Sequence, residues 1–358
     1  MLNEQEKAYY SRHLQLNNFG EEAQNKLKSS KVLVIGAGGL ACPCLQYLAA
    51  AGVGQLTIVD GDVVNVHNLH RQTLYSIEDI GKKKVRVAQN KLKSSNPYII
   101  VDVVEEFLTI DNASKLFNSH DVVIDCTDNF STRYLINDFC VLCDKPMIYG
   151  AIDQFNGQVS VFNYQIGPTY RCVFPSTPEN ANLLNCAEAG VLGVLPGIIG
   201  TFQAMECIKL ITEIGELLNG KILFYDALNQ KTVQIKVNRK NIDYQYILQK
   251  NGVQLEDYSC ESENFSGKSI DTIESLNEEN FILLDVRNEE EFPKLNKRNV
   301  LEIPLFNLEE RINELPKDKV IVCVCKSGIR SKKAAVILQN HMEINRIIHF
   351  NNVVEKLI

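Results

Sequence analysis

The chain has 358 residues, enough for about two domains that each bury a core. An apolar share of 45% and a charged share of 23% are ordinary for a globular protein, and a net charge of -7 argues against a nucleic-acid partner. Eleven cysteines, odd in number and scattered through apolar stretches, read as reduced thiols in a cytoplasm rather than as a disulfide framework.

The opening Met1-Leu-Asn-Glu-Gln-Glu-Lys is polar and acidic and does not read as a signal peptide. The first strand signal is Val32 to Ile35, which feeds a glycine turn and then a helical pattern from Cys44 to Ala51. Gly36, Gly38 and Ala41 fit G-x-G-x-x-G/A, with Gly39 beside them, so the backbone can turn tightly and bring a phosphate to the amides of a helix start. Asp60 ends the next apolar run, 24 residues after Gly36, at the spacing of a ribose-binding acid. These residues alone leave a nicotinamide or flavin site, another nucleotide site and a merely tight turn all open.

Asn68 and Arg71 follow closely, an amide and a guanidinium for which a dehydrogenase has no need and which suit phosphate. From Lys31 to Ile124 strand-like runs alternate with helical patterns, as a doubly wound α/β sheet requires. Asp125-Cys-Thr-Asp128-Asn129 follows the run Val122 to Ile124, at the carboxyl edge where such sheets bind ligands. Cys140 and Cys143 lie in a helical pattern and read as two buried thiols. Pro175 to Asn182 has the composition of a mobile crossing segment, and Cys186 lies beyond it. Val191 to Ile199 is the longest apolar run, interrupted by Gly and Pro and short of a membrane span.

Lys221 to Asp226 and Thr232 to Val237 read as a closing hairpin, and a polar stretch follows. The chain therefore divides into residues 1–250, a linker at 251–268, and a second domain at 269–358. That domain opens with a buried-looking strand at Phe281 to Arg287, then the acidic Glu289 to Glu291. Its sharpest feature is Val320-Ile-Val-Cys-Val-Cys325-Lys-Ser-Gly-Ile-Arg330-Ser331, a cysteine at a strand end ahead of a helical pattern. Loop amides, Arg330 and Lys326 would stabilise the anion there, so Cys325 reads as a nucleophile and Cys323 as buried and inert.

From Asp60-Gly-Asp62 through Asn68-Leu-His-Arg71-Gln72, Gly81-Lys-Lys-Lys84, Asp125-Cys-Thr-Asp128-Asn129, Tyr149-Gly-Ala-Ile and Asn185-Cys186-Ala-Glu-Ala-Gly190, the chain resembles the MoeB/ThiF family, relatives of the ubiquitin-activating enzymes. With Tyr10-Ser-Arg12-His the likeness covers roughly residues 5 to 240. The stretch around Cys325 resembles a rhodanese domain; only four residues separate Cys325 from Arg330, which fits sulfur better than phosphate.

These resemblances imply a Rossmann-like ATP-binding domain followed by a small rhodanese-like domain. They imply that the C-terminal glycine of a ubiquitin-like sulfur carrier of MoaD or ThiS type is adenylated and converted to a thiocarboxylate, for molybdopterin or thiamine synthesis. By resemblance Gly36, Gly38 and Gly39 hold ATP, Asp60 its ribose, Asn68, Arg71 and Lys84 the phosphates, and Asp128 a magnesium ion, with Asp62 and Asn129 in the same site. Arg12 resembles an arginine that reaches across a homodimer. Cys325 would carry a persulfide drawn from thiosulfate or a cysteine desulfurase, and Cys186 would complete the transfer. The residues alone also allow Asp62 and Asp128 as helix caps, Lys84 in a solvated patch, Arg12 as a surface residue and Cys186 as a plain thiol. The family's structural zinc is not expected, because Thr169 replaces one cysteine of the pair ending at Cys172 and no cysteine lies between Asn238 and Asn251. An NAD(P)-dependent oxidoreductase with a rhodanese appendage and a non-catalytic carrier-docking protein are the alternatives.

Overall fold

The computed structural model describes residues 1–176, 190–242, 244, 267–270, 273, 280–287, 293–295, 299–316, 318–325, 329–343 and 346–350. The chain divides into two compact units, Met1–Cys260 and Glu261–Ile358.

In the first unit α1 (Glu4–Tyr9), α2 (Ser11–Leu14) and α3 (Gly20–Ser29) lead into β1 (Lys31–Ile35). Then come α4 (Ala41–Ala51), β2 (Gln55–Val59), α5 (Lys84–Ser95), β3 (Ile100–Val104), α6 (Ile110–Asn118), β4 (Val122–Asp125), α7 (Phe130–Leu142) and β5 (Met147–Asp153). β6 (Asn156–Phe162), α8 (Tyr170–Val173), α9 (Val194–Thr212), β7 (Lys221–Asp226) and β8 (Lys231–Lys236) complete it. The strands form one sheet in the order β3-β2-β1-β4-β5-β6-β7-β8, parallel as far as β5 and antiparallel beyond. Val32 to Ile35 is an unbroken apolar run because helices cover both faces of a parallel sheet. The strand order reverses between β1 and β4, so a crevice opens there at the carboxyl ends.

Two expectations change. The run at Val191 was read as ending near Ile199, but α9 continues for 19 residues and is long and apolar enough to cross a bilayer, with half of its most apolar window buried. Pro196 does not stop it, because a proline in the first turn breaks no helical hydrogen bond. Leu195, Ile199, Ala204 and Cys207 of α9 belong to the core, and its Gln203 donates to the carbonyl of Asp125. The hairpin also pairs from Lys231 to Lys236, one residue earlier than the alternation suggested.

In the second unit β9 (Lys268–Ile270), β10 (Phe281–Asp285), β11 (Val300–Glu302), β12 (Val320–Val324), α10 (Ile329–Gln339) and β13 (Ile347–Phe350) build a parallel sheet in the order β11-β10-β12-β13-β9. The sequence assigns Lys268 to the linker and shows its first strand signal of this domain, residues 269–358, at Phe281. Lys268 and Ser269 instead begin an edge strand, which needs no apolar run because one side and most of its surface face solvent. Residues 251–266 of the expected linker and the acidic Glu289 to Glu291 lie outside the described residues.

Candidate nucleotide and sulfur sites

After β1 the chain turns at Gly36 with φ at +98°, and a side chain there would lie 2.6 Å from the carbonyl oxygen of Cys126. Gly36 is therefore dictated by the packing of two turns, those after β1 and β4. Gly38 has ordinary space around it: an added Cβ would sit 3.6 Å from Nε2 of Gln72. Leu40 caps α4 without any side-chain hydrogen bond; the Cys42 N–H goes to the carbonyl of Gly38 at 3.0 Å and Pro43 has no N–H, so Ala41 is the first-turn amide left for an anion.

Asp60 is 8% exposed and ties this turn to its own loop. One carboxylate oxygen accepts the N–H of Ala37 at 2.7 Å and the other that of Asp62 at 2.7 Å. Burial pushes its pKa up against the attraction of Lys84. Each oxygen keeps a lone pair for a ribose hydroxyl. Lys84 is buried and donates to Asp62 at 2.8 Å, so neither the solvated lysine patch nor the helix-cap alternative for Asp62 describes the structure.

Asn68 is buried on a single turn of 3-10 helix, where its side-chain oxygen accepts the N–H of Asn65 and its amide group can still donate. Arg71 reaches the carbonyl of His67 and the ring of His70. Gln72, quoted in the motif without a role, is 4% exposed, and its Oε1 has no hydrogen-bond partner. A buried orphan acceptor costs about 1–3 kcal/mol; it is the other atom of this amide, Nε2, that faces Gly38. Its signal was local, a polar residue directly after Arg71 where the chain turns inward.

Asp128 is exposed at the end of β4. It caps nothing; the cap of α7 is Asn129, whose oxygen accepts the N–H of Thr132 at 2.9 Å and is thereby committed to the helix. The turn is held from beneath by a residue the sequence reading passed over. Arg133 is buried, donates to Asp125 at 2.9 Å and to the carbonyls of Thr127 and Gly150, and lies over the ring of Tyr149. Asp125 also accepts from the amide and hydroxyl of Thr127. Arg12 lies apart on α2, exposed, with its guanidinium on Gln15.

Tyr134 donates to the carbonyls of Phe174 and Ser176, and Arg171 forms two 2.6 Å bonds to Asp138, fixing the chain up to residue 176. Cys186 lies outside the described residues. Where the family carries its zinc, Cys172 accepts the backbone N–H groups of Thr169 and Lys240, and Tyr244 donates to Thr169. One thiol beside a threonine is a donor set that does not fit a structural zinc. Cys140 and Cys143 are both buried, and among the described residues no group of three or more metal-binding side chains gathers.

In the second unit Cys325 follows β12 with its side chain buried, and Sγ accepts the N–H of Ser331 at 3.2 Å, in the first turn of α10. The Ser331 hydroxyl lies 3.4 Å from the same sulfur. A first-turn N–H of α10 is thereby aimed at the sulfur. Cys323, two residues back in the strand, is pushed well up by burial and stays protonated. Asp285 and Arg287 form a buried ion pair at the end of β10, the neighbouring strand. Residues 326–328, including Lys326, lie outside the described residues.

An anchored acid, a glycine turn and an uncapped helix start at the switch point of a doubly wound sheet define a nucleotide-binding α/β protein, joined to a unit with a strand-end thiol. The chain belongs to the ThiF family, whose model matches residues 10–245, and a rhodanese-like domain matches residues 271–354. The sulfur carrier protein adenylyltransferase of Thermus thermophilus is 47% identical over 64% of this chain and 87% of its own length. A probable molybdopterin-synthase adenylyltransferase of Gracilaria tenuistipitata is 39% identical over 98% of this chain and 96% of its own. The probable adenylyltransferase/sulfurtransferase MoeZ of Mycobacterium tuberculosis is 39% identical over 93% and 88%. Among solved structures, Escherichia coli MccB with ATP aligns with a TM-score of 0.57 at 24% identity, covering 65% of this chain and 73% of that one, a likeness of fold.

Proposed function

We propose that this protein adenylates the C-terminal glycine of a ubiquitin-like sulfur carrier with ATP and then converts the product to a thiocarboxylate. The observation that carries the reading is a nucleotide cradle and a strand-end thiol in one chain, aligned over most of its length with relatives named as adenylyltransferases and sulfurtransferases.

The carrier's carboxylate oxygen attacks the α-phosphorus of ATP, the bond to the β-phosphate breaks, and pyrophosphate leaves. The protein's part is to hold both reactants in line and offset the triphosphate charge. Asp60 holds the ribose, and the start of α4 and the Gly38 backbone take a phosphate. Asn68, Arg71 and Lys84 offset the remaining charge, and Gln72 can add its Nε2 as a donor. Asp128 would hold magnesium, which neutralises phosphate charge when bound; one carboxylate with phosphate oxygens is a donor set that suits this ion.

Cys325 takes a sulfur atom from thiosulfate, releasing sulfite, or from a cysteine desulfurase. The outer sulfur of that persulfide attacks the acyl adenylate, AMP leaves, and an acyl disulfide remains. The Cys186 thiolate attacks the Cys325 sulfur, the carrier thiocarboxylate departs, and a cellular thiol reduces the resulting disulfide. The same reading takes the protein as a cytoplasmic homodimer with Arg12 reaching the neighbouring site, without structural zinc, and favours the molybdopterin branch over the thiamine branch.

Intact mass of MoaD-like and ThiS-like carriers, incubated with this protein, magnesium ATP and thiosulfate, tests the reading. Replacement of one carboxylate oxygen by sulfur on one carrier is the expected result, and it names the branch. Cys325→Ser should leave the adenylate and remove the sulfur. No change on either carrier would overturn the assignment.

A further inference from the structure

Gly150, quoted in the Tyr149-Gly-Ala-Ile motif without a role, leaves a notch in β5: a Cβ there would lie 2.4 Å from Cδ of Gln203. Gln203, on α9, is fully buried, and its amide fills that notch. Nε2 donates to the carbonyl of Asp125 at 2.6 Å and to that of Ile148 at 3.4 Å, while Oε1 accepts from the Cys126 thiol at 3.7 Å. One side chain thus bridges β4 and β5 from the α9 side, at the root of the turn that leads to Asp128. An apolar side chain of the same length would fill the space without burying polar atoms. What the amide adds is a directed hold on the last carbonyl of β4.

The helix that carries Gln203 is itself seated on the rest of the nucleotide site. A Cβ at Gly200 would lie 2.1 Å from the carbonyl oxygen of Leu40, the cap of α4, and one at Gly193, the cap of α9, 2.1 Å from that of His70, the residue before Arg71. Positions 193, 200 and 203 are seven and three residues apart, so they share one side of the helix. Along that side α9 meets the Arg71 loop, the start of α4 and the end of β4 in turn.

We propose that Gln203 is a positioning residue for adenylation: by holding the Asp125 carbonyl it sets the turn that presents Asp128, and through α9 it fixes that turn against the start of α4 and Arg71. This rests on the reading of Asp128 as the carboxylate that holds magnesium.

Manganese serves as the probe, its binding to the protein with ATP read by electron paramagnetic resonance without carrier. Gln203→Met keeps the length and removes both polar atoms. It should weaken manganese binding by about 10- to 100-fold, as Asp128→Asn does, and leave ATP binding without metal unchanged. Added to Asp128→Asn it should weaken manganese no further, since it acts through that carboxylate. In ATP-pyrophosphate exchange with the carrier its kcat should fall while KM for ATP holds. Gly150→Ala, which pushes the amide from its notch, tests the same contact from β5 should Gln203→Met fail to fold. Unchanged manganese binding in the folded variant, an additive loss in the double variant, or an equal loss of metal-free ATP binding would each overturn the positioning role and leave the proposed function standing. A wild type that neither binds manganese with ATP nor exchanges pyrophosphate would overturn both.

Discussion

Asp79 shows how a single charge holds the loop after Asn68, Arg71 and Gln72 in shape. It accepts from the amide and hydroxyl of Ser76 and from the Lys91 ammonium at 2.6 Å, and Lys91 also reaches the carbonyl of Leu74. The segment that follows Asn68, Arg71 and Gln72 is thereby stapled to α5, the helix that begins with Lys84. Burial alone would raise the Asp79 carboxyl; Lys91 and Ser76 outweigh it and hold the group well below the usual carboxylate range. A depressed folded value contributes stability in full above the unfolded value, near 4, and loses it as pH falls through the folded one. Asp79→Asn should therefore cost about 1.5–3 kcal/mol in urea unfolding at pH 7, and the gap from wild type should close on acidification below pH 4. A gap that held constant to low pH would show that shape, not charge, holds the loop.

At the scale of elements, the turn after β4 depends on one arginine from α7. Arg133→Met leaves Asp125 buried without its cation, a change expected to cost about 3–5 kcal/mol, read as a lower urea midpoint. Asp125→Asn should cost less, because its amide can still meet the Thr127 groups. The sequence made Asp128 legible, since an apolar run ending in acids marks a strand's carboxyl edge, but it hid Arg133. That residue is eight positions downstream in a helix, and nothing local says that it returns to Asp125. Gly36 was legible as a turn, yet its stricter constraint is the Cys126 carbonyl, contributed by a strand far along the chain. Strand β9 was hidden for another reason: three edge residues, two of them polar, carry no alternation to read. Cys186 was legible only through the family resemblance.

For the whole molecule, the two units join one chemistry to the other. Adenylation uses the first unit and sulfur donation the second, so the covalent link matters only for the transfer between them. Tethering can raise the effective concentration of the persulfide to about millimolar. Supplied as two polypeptides at micromolar concentration, the units should make carrier adenylate at the rate of the intact chain while thiocarboxylate formation falls by about 10²-fold or more. Raising the concentration of the second polypeptide should restore it. Equal rates at all concentrations would indicate that the units recognise each other without the link.

Strand β9 carries a mechanical consequence. It is the first described strand of the second unit and pairs with β13, with Ile270 opposite Phe350. The Phe350 carbonyl accepts from the Ser331 hydroxyl, and Ser331 in turn holds the Cys325 sulfur. A pull on the chain ahead of Lys268 is thus borne first by a three-residue seam and then by the strand that braces Ser331. The tether is fastened three contacts from the sulfur it delivers, so tension in it is transmitted to the thiol's own cradle.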